Sequence, residues 1–176
     1  MGSDRNTFNC SIPVVGQFID QHCRSKFMVT LTDRRQLRSS DLTREIAWAI
    51  HKTNQAFFGT AYRRHGKVFL ATYTVHEKTL NDGLHAHLLV GVPDGALQLK
   101  PNQPGLSVPE HLVRAWSSVA PAYRRSEGQR WDPIWDLSGA FSYVQKGVRS
   151  ATDIDTVDVM NTKFPTSYDC PPPAGG

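Results

Sequence analysis

The 176-residue chain is 39% hydrophobic and 20% charged, which is an ordinary composition for one globular domain with a single core. It contains no apolar run near the ~20 residues of a membrane span and begins without an apolar leader, so we expect no membrane partner and an intracellular location. A net charge of +4 permits a polyanionic partner, and three scattered cysteines argue against a disulfide framework or a thiolate zinc site.

The first half of the chain predicts a strand followed by a helix. Residues 1–25 show no clear period, and we expect an N-terminal arm or a first element there. Residues 26–32 alternate between apolar and polar, as in a half-buried strand. Asp41 suits the N-terminus of a helix with apolar residues at helical spacing, and Gly59 is placed to end that helix.

The middle of the chain predicts an antiparallel hairpin. Residues 67–77 are rich in Val, Phe, Tyr and Thr, and residues 85–92 form a second apolar segment. Asn-Asp-Gly at 81–83 is a strong turn signal between them. The Pro/Gly-rich stretch 93–109 that follows is expected to be an exposed loop.

The last third predicts two more helices and a short strand. Ser107 and Glu110 have the spacing of a capping box before a helix with an apolar face. A short strand is expected within 131–135, and a short helix from Ser138 to Lys146. Residues 151–176 contain an acidic patch and a Pro/Gly-rich end, so we expect a linker or partly disordered extension.

Two histidines in the hairpin predict a metal site. His85 and His87 are two apart in a strand, so both project from the same face and can bind one divalent cation. The turn brings Glu77, near the end of the partner strand, back beside His85. A carboxylate with two imidazoles suits Mg²⁺ or Mn²⁺ chemistry better than a closed structural zinc site. His76 is the alternative third ligand, because alternation lets only one of two adjacent residues face the metal.

Tyr143 supplies a candidate nucleophile on the last predicted helix. Lys146 follows three residues later, and residues three apart share a helix face. A cation beside a phenol favours the phenolate and can steady a phosphate. The sequence therefore predicts a candidate nucleophile beside a cationic side chain on one helix face.

The order of these motifs resembles the HUH endonucleases, most closely the single-tyrosine replication initiators of rolling-circle plasmids and small single-stranded DNA replicons. The matching stretches are 27–32, 77–91 and 141–147, so the resemblance covers about residues 26–149. It implies an α+β fold in which a central antiparallel sheet of about five strands, with RRM-like topology, is flanked by helices. The nuclease domain would then span residues 26–150.

The resemblance also implies a mechanism. A divalent cation held by Glu77, His85 and His87 polarises the scissile phosphate of single-stranded DNA. Tyr143 attacks it, which leaves a 5′-phosphotyrosine and a free 3′-OH, while Lys146 positions or neutralises the phosphate. The eight-residue spacing from Glu77 to His85 is that of replication initiators, whereas a three-histidine site would look more like a relaxase.

The implied partner is single-stranded DNA at a replication origin, with a stem-loop as one form. No G-x-x-x-x-G-K-[ST] motif occurs, so unwinding is assigned to another domain or to a host helicase. The implied location is the cytoplasm, or the host nucleus for a replicon of a eukaryotic virus. Six further residues are candidate DNA contacts: Thr30, Thr32, Arg34, Arg35, Arg38 and Arg149. Trp131 and Trp135 either stack on unpaired bases or pack in the protein.

Three other functions remain open at the level of sequence. A single-tyrosine transposase or a relaxase would share the fold but recombine or transfer DNA. A DNA-binding module without catalysis would need only the basic clusters and the aromatic residues. A metal-dependent hydrolase that uses water would keep its activity after Tyr143→Phe, whereas the tyrosine mechanism predicts loss of cleavage with DNA binding retained.

Overall fold

The computed structural model describes residues 7–35, 37–60, 62, 68–79, 83–96, 105–146 and 157–165. Its elements in chain order are α1 (Thr7–His22), β1 (Ser25–Asp33), α2 (Ser39–Thr60), β2 (Ala71–Thr79), β3 (Gly83–Val92), α3 (Val108–Val119), β4 (Arg130–Pro133) and α4 (Leu137–Val144). The predicted α+β class is confirmed. Across these ranges, every helix is too short or too polar to span a bilayer.

The sheet has the strand order β2-β3-β1-β4, and all three neighbouring pairs are antiparallel. The sequence β1-α2-β2-β3-α3-β4 in this order is the split β-α-β topology shared by RRM-like sheets. The prediction of about five strands is wrong for the described residues, which form four. Residues 157–165 lie along the outer edge of β2, but a 3₁₀ turn at Val159–Asn161 separates their two isolated bridges, so no fifth strand forms there.

One face of the sheet is covered by α2 and α3. Alternation along β1 and β3 directs one set of apolar residues to this side, where Trp116 of α3 is fully buried. The principal sheet residues of this core are Val29, Leu31, Ala86, Leu88, Val90 and Val92. Gly59 has a φ of 48° and interrupts α2 near its end, as predicted from the sequence.

The opposite face is covered by α1 and α4. Val15, Phe18 and Ile19 of α1 pack with Tyr73 and Leu89 of the sheet. This helix was not predicted, because Pro13 and Gly16 lower its intrinsic propensity. Burial of its apolar side against the sheet compensates for that penalty.

The predicted C-terminal extension is partly ordered. Lys163 exchanges two backbone hydrogen bonds with Thr72 of β2, each 2.8 Å long. Asn161 is fully buried, and its side-chain amide donates to the carbonyl of Thr43 on α2. The expectation for 151–176 was a linker or a partly disordered extension, and residues 157–165 depart from the linker alternative because they pack against the domain. Acidic and polar residues there are paired inside the protein, which composition alone does not reveal.

Candidate active site

The candidate metal ligands lie on the α1/α4 face of the sheet. His85 and His87 alternate with Ala86, which points into the opposite core. Glu77 is the register partner of His85 across the β2–β3 pair, so its side chain is on the same face. The fold thus brings together the three residues at which the sequence predicts a cation.

His87 is the centre of the hydrogen bonding in this site. Its Nε2 lies 2.8 Å from Oε2 of Glu77, and its Nδ1 lies 3.1 Å from the hydroxyl oxygen of Thr30. Burial lowers the pKa of His87, which favours the neutral ring that a metal ligand requires. Burial raises the pKa of Glu77, but the hydrogen bond from His87 and the charge of Lys146 outweigh it, so the net pKa is lowered.

His85 presents an unsatisfied polar atom to the site. Its Nε2 is buried and has no hydrogen-bond partner among the described residues. A buried ring nitrogen without a partner is costly, and a bound ligand is one way of satisfying it. No three His, Cys, Asp or Glu side chains within the described ranges converge as a preassembled metal cage. The residue types and the free nitrogen nevertheless fit a divalent cation.

His76 belongs to the other face of the sheet. Its register partner is Ala86, and its ring is buried between Ser39 and Asp158. The Nδ1 atom lies 3.1 Å from the Ser39 hydroxyl oxygen, and Nε2 lies 3.0 Å from Oδ2 of Asp158. Both ring nitrogens are therefore engaged away from His85 and His87. Of the two alternatives left by the sequence, only Glu77 shares their face.

Tyr143 lies against His87. The side chain is 45% exposed, and its ring meets that of His87 nearly edge-on, with centroids 5.7 Å apart. The ammonium of Lys146 lies 4.3 Å from the centroid of the tyrosine ring and 3.6 Å from Oε1 of Glu77. Lys146 follows the end of α4 in a turn instead of lying within the helix. It still faces both Tyr143 and the carboxylate.

The comparisons with known proteins find no relative of this chain. No protein-family model, no curated protein and no solved structure matches the chain.

The predicted DNA contacts occupy different environments. The hydroxyl of Thr30 forms a hydrogen bond with the ring of His87, whereas the hydroxyl of Thr32 donates to the carbonyl of Gly128. Arg34 and Arg38 are exposed near the end of β1. Arg149 lies outside the described residues.

Arg35 is engaged in an ion-pair network. Its guanidinium lies 2.7 Å from Oδ2 of Asp33 and 2.8 Å from Oε2 of Glu45. Arg124 pairs with the same two carboxylates, and its guanidinium stacks on Trp116. Arg35 therefore has a structural role that the basic cluster in the sequence does not reveal.

Arg130 is a candidate that the sequence analysis did not single out for the site. It is the register partner of Thr30, which in turn pairs with His87, so the three side chains share one face. Its exposed guanidinium donates to Asp132 on the same strand. Once β4 is paired with β1, strand alternation counted back from Pro133 indicates from which face of the sheet the Arg130 side chain projects.

Proposed function

We propose that this protein nicks and rejoins single-stranded DNA through a covalent link to Tyr143, with a divalent cation held by Glu77, His85 and His87. The observation that carries the proposal is the position of Tyr143. Its exposed side chain packs against His87, and the Lys146 ammonium lies between its ring and the carboxylate of Glu77. A nucleophile, a charge-neutralising group and a metal-binding face thereby meet at one place.

The requirement for a cation follows from the types of ligand atoms that the site offers. One carboxylate and two imidazoles leave room for a phosphate oxygen, and when bound the cation supplies a Lewis acid that polarises that phosphate. Glu77 is ionised and His87 is neutral at physiological pH, which suits both as ligands. With a cation in place of the Nε2–H···Glu77 hydrogen bond, the neutral ring of His87 would carry its proton on Nδ1, where the Thr30 hydroxyl can accept it and leave the Nε2 lone pair for the cation.

The proposed reaction is a transesterification. The Tyr143 oxygen forms a bond to phosphorus and loses its proton, while the bond from phosphorus to the 3′ oxygen breaks and that oxygen gains a proton. The product is a 5′-phosphotyrosine and a free 3′-OH. Attack of a 3′-OH on the phosphotyrosine reverses these steps and rejoins the strand. Lys146 offsets the negative charge of the phosphate during both steps.

The ligand arrangement favours a replication initiator over a relaxase. Glu77 shares the face of the two histidines, whereas His76 is buried on the other side with Asp158. A three-histidine site would need His76 on the same face as His85. The proposed substrate is accordingly a single-stranded replication origin, with unwinding left to another domain or to a host helicase.

A labelling experiment tests the proposal without knowledge of the target sequence. The protein is mixed with Mn²⁺ and a random-sequence pool of single-stranded oligonucleotides, and the products are separated on a denaturing gel. A 3′ label is expected to migrate with the protein, whereas a 5′ label is released with the cleaved fragment. Mass spectrometry of the adduct should identify Tyr143, and sequencing of the captured DNA should give the recognised motif.

The control variant is Tyr123→Phe, because Tyr123 is also an exposed tyrosine but lies after α3, by Arg35. Tyr143→Phe should abolish the adduct and retain DNA binding, and Tyr123→Phe should retain both. Chelation of Mn²⁺ should stop the reaction. Cleavage by Tyr143→Phe at the wild-type rate would instead indicate water as the nucleophile. DNA binding without any cleavage would indicate a non-catalytic module.

A further inference from the structure

A cleft opens between α1 and α4 on the same face of the sheet as the proposed active site. Its volume is about 710 Å³, within the range of about 300–1,000 Å³ that is common for small-ligand sites. Gly16 and Gln17 line it from α1, and Ser138, Phe141 and Gln145 line it from the α4 side. A side chain at Gly16 would approach the Phe141 ring to 3.0 Å, so this glycine allows α1 and α4 to pack closely at the floor of the cleft.

The cleft and Tyr143 lie on two flanks of the same short helix. Ser138, Phe141 and Gln145 recur at the spacing of one helical face. Tyr143 comes two residues after Phe141, about 200° around the helix, and faces His87 instead. A helix with its side chains is about 10–12 Å wide, so a DNA strand that reaches Tyr143 can continue across α4 into the cleft within a few nucleotides.

Trp135 lies at this cleft with almost its entire side chain in water. It is 92% exposed, whereas Trp131, four residues earlier, packs edge-on against Phe27 with ring centroids 5.9 Å apart. The Trp135 ring is therefore not packed in the core and is accessible to a ligand bound in the cleft. Indole rings stack on unpaired nucleobases whatever their sequence.

The charges at the cleft indicate which part of a nucleotide it accepts. Asp20 and Asp136 both line it, and Asp20 is only partly offset by Lys26, whose ammonium lies 3.3 Å from its carboxylate. Carboxylates repel phosphates but accept hydrogen bonds from the amino groups of bases. The phosphates would therefore remain outside, on the side of Lys146, and a base edge would enter.

We propose that this cleft binds one unpaired nucleobase of the DNA strand, stacked on Trp135, with an amino group directed to Asp136 or Asp20. The inference rests on the proposed function for its choice of ligand. It adds a base-reading subsite on the flank of α4 away from the nick. Cytosine and adenine fit this subsite better than thymine, which lacks an amino group and flanks its one N–H donor with two carbonyl oxygens.

The test measures binding of fluorescently labelled single-stranded oligo(dC), oligo(dA) and oligo(dT) by fluorescence anisotropy of the label, without divalent cations so that no cleavage occurs. Trp135→Ala should weaken binding of oligo(dC) about tenfold or more, and Trp135→Phe should restore part of it, because a phenyl ring also stacks. Trp48→Ala is the matched control, since Trp48 is 40% exposed on α2 beyond the other face of the sheet. Asp136→Asn should reduce the preference for oligo(dC) over oligo(dT).

The cleavage assay separates this inference from the proposed function. Trp135→Ala should form the Tyr143 adduct at the wild-type rate once DNA is saturating, so that KM rises and kcat stays constant. If wild-type protein gives no adduct but Trp135→Ala still loses binding, the nicking proposal fails and the base subsite stands. If Trp135→Ala binds every oligonucleotide as tightly as wild type, the subsite is refuted whatever the outcome of the nicking assay.

Discussion

The hydroxyl of Thr30 forms a hydrogen bond with Nδ1 of His87, the ring nitrogen that does not contact Glu77. A metal-ligating histidine depends on such a partner, because the hydrogen bond at one nitrogen orients the other towards the ion. We expect Thr30→Val, which keeps the shape but removes the hydroxyl, to weaken Mn²⁺ binding about 10- to 100-fold. Isothermal titration of the DNA-free protein with Mn²⁺ measures this change.

Thr32 provides the comparison for that variant. It lies two residues along the same strand and pairs with His85, but its hydroxyl donates to the carbonyl of Gly128 and accepts from Gln129. Thr32→Val should therefore leave Mn²⁺ affinity close to that of wild type. Equal losses in the two variants would show that the hydroxyl of Thr30 has no special role in orienting His87.

The hairpin of β2 and β3 is the element that sequence alone predicted best. Once the turn set the pairing, alternation placed Glu77, His85 and His87 on one face, and the register agrees with this. The approach of α4 to that face was not predictable from spacing, because it depends on long-range packing of Phe141 and Val144 in the second core. The contact of Lys146 with Glu77 was hidden for the same reason.

The end of β1 is tied to α2 and to the loop after α3 by a cluster of four charged residues. Asp33 and Arg124 are fully buried, and Arg35 and Glu45 complete the cluster. Burial raises the pKa of Asp33, but hydrogen bonds from Arg35 and Arg124 outweigh it and hold the pKa below its ordinary value of 3.8. This carboxylate therefore stabilises the folded state above pH 3.8, and the contribution is lost as pH falls through the folded-state pKa.

We expect Asp33→Asn to lower the free energy of unfolding at neutral pH by about 3 kcal/mol, since two arginines lose a buried counter-charge. The loss relative to wild type should begin to shrink as pH falls below 3.8, where Asp33 of the unfolded chain takes up a proton, and should vanish once folded Asp33 is protonated as well. Urea unfolding between neutral and acidic pH measures both effects. Asp132→Asn, which removes an exposed partner of Arg130, is the control and should change stability little. A pH-independent difference for Asp33→Asn would contradict the assigned role.

At the scale of the whole molecule, the domain is longer than its motifs indicate. The resemblance ended near residue 149, and composition suggested a linker or a partly disordered extension beyond it. Residues 157–165 instead close the outer edge of β2, where an unpaired strand would be exposed. Because these contacts are polar and join residues far apart in the chain, neither the periodicity nor the apolar content of the sequence predicts them.

The length of the folding unit can be tested with two truncated chains. In a chain ending at residue 150, the hydroxyls of Thr72 and Thr74 lose their acceptor, the carbonyl of Asn161, and His76 loses Asp158. At about 1 kcal/mol for each lost hydrogen bond, we expect a loss of about 3 kcal/mol or more and a melting midpoint about 10 °C lower. A chain ending at residue 165 keeps these contacts and should melt with the full-length protein. Circular dichroism melts of the three chains make the comparison, and equal midpoints would mean that 157–165 adds nothing to the stability of the sheet.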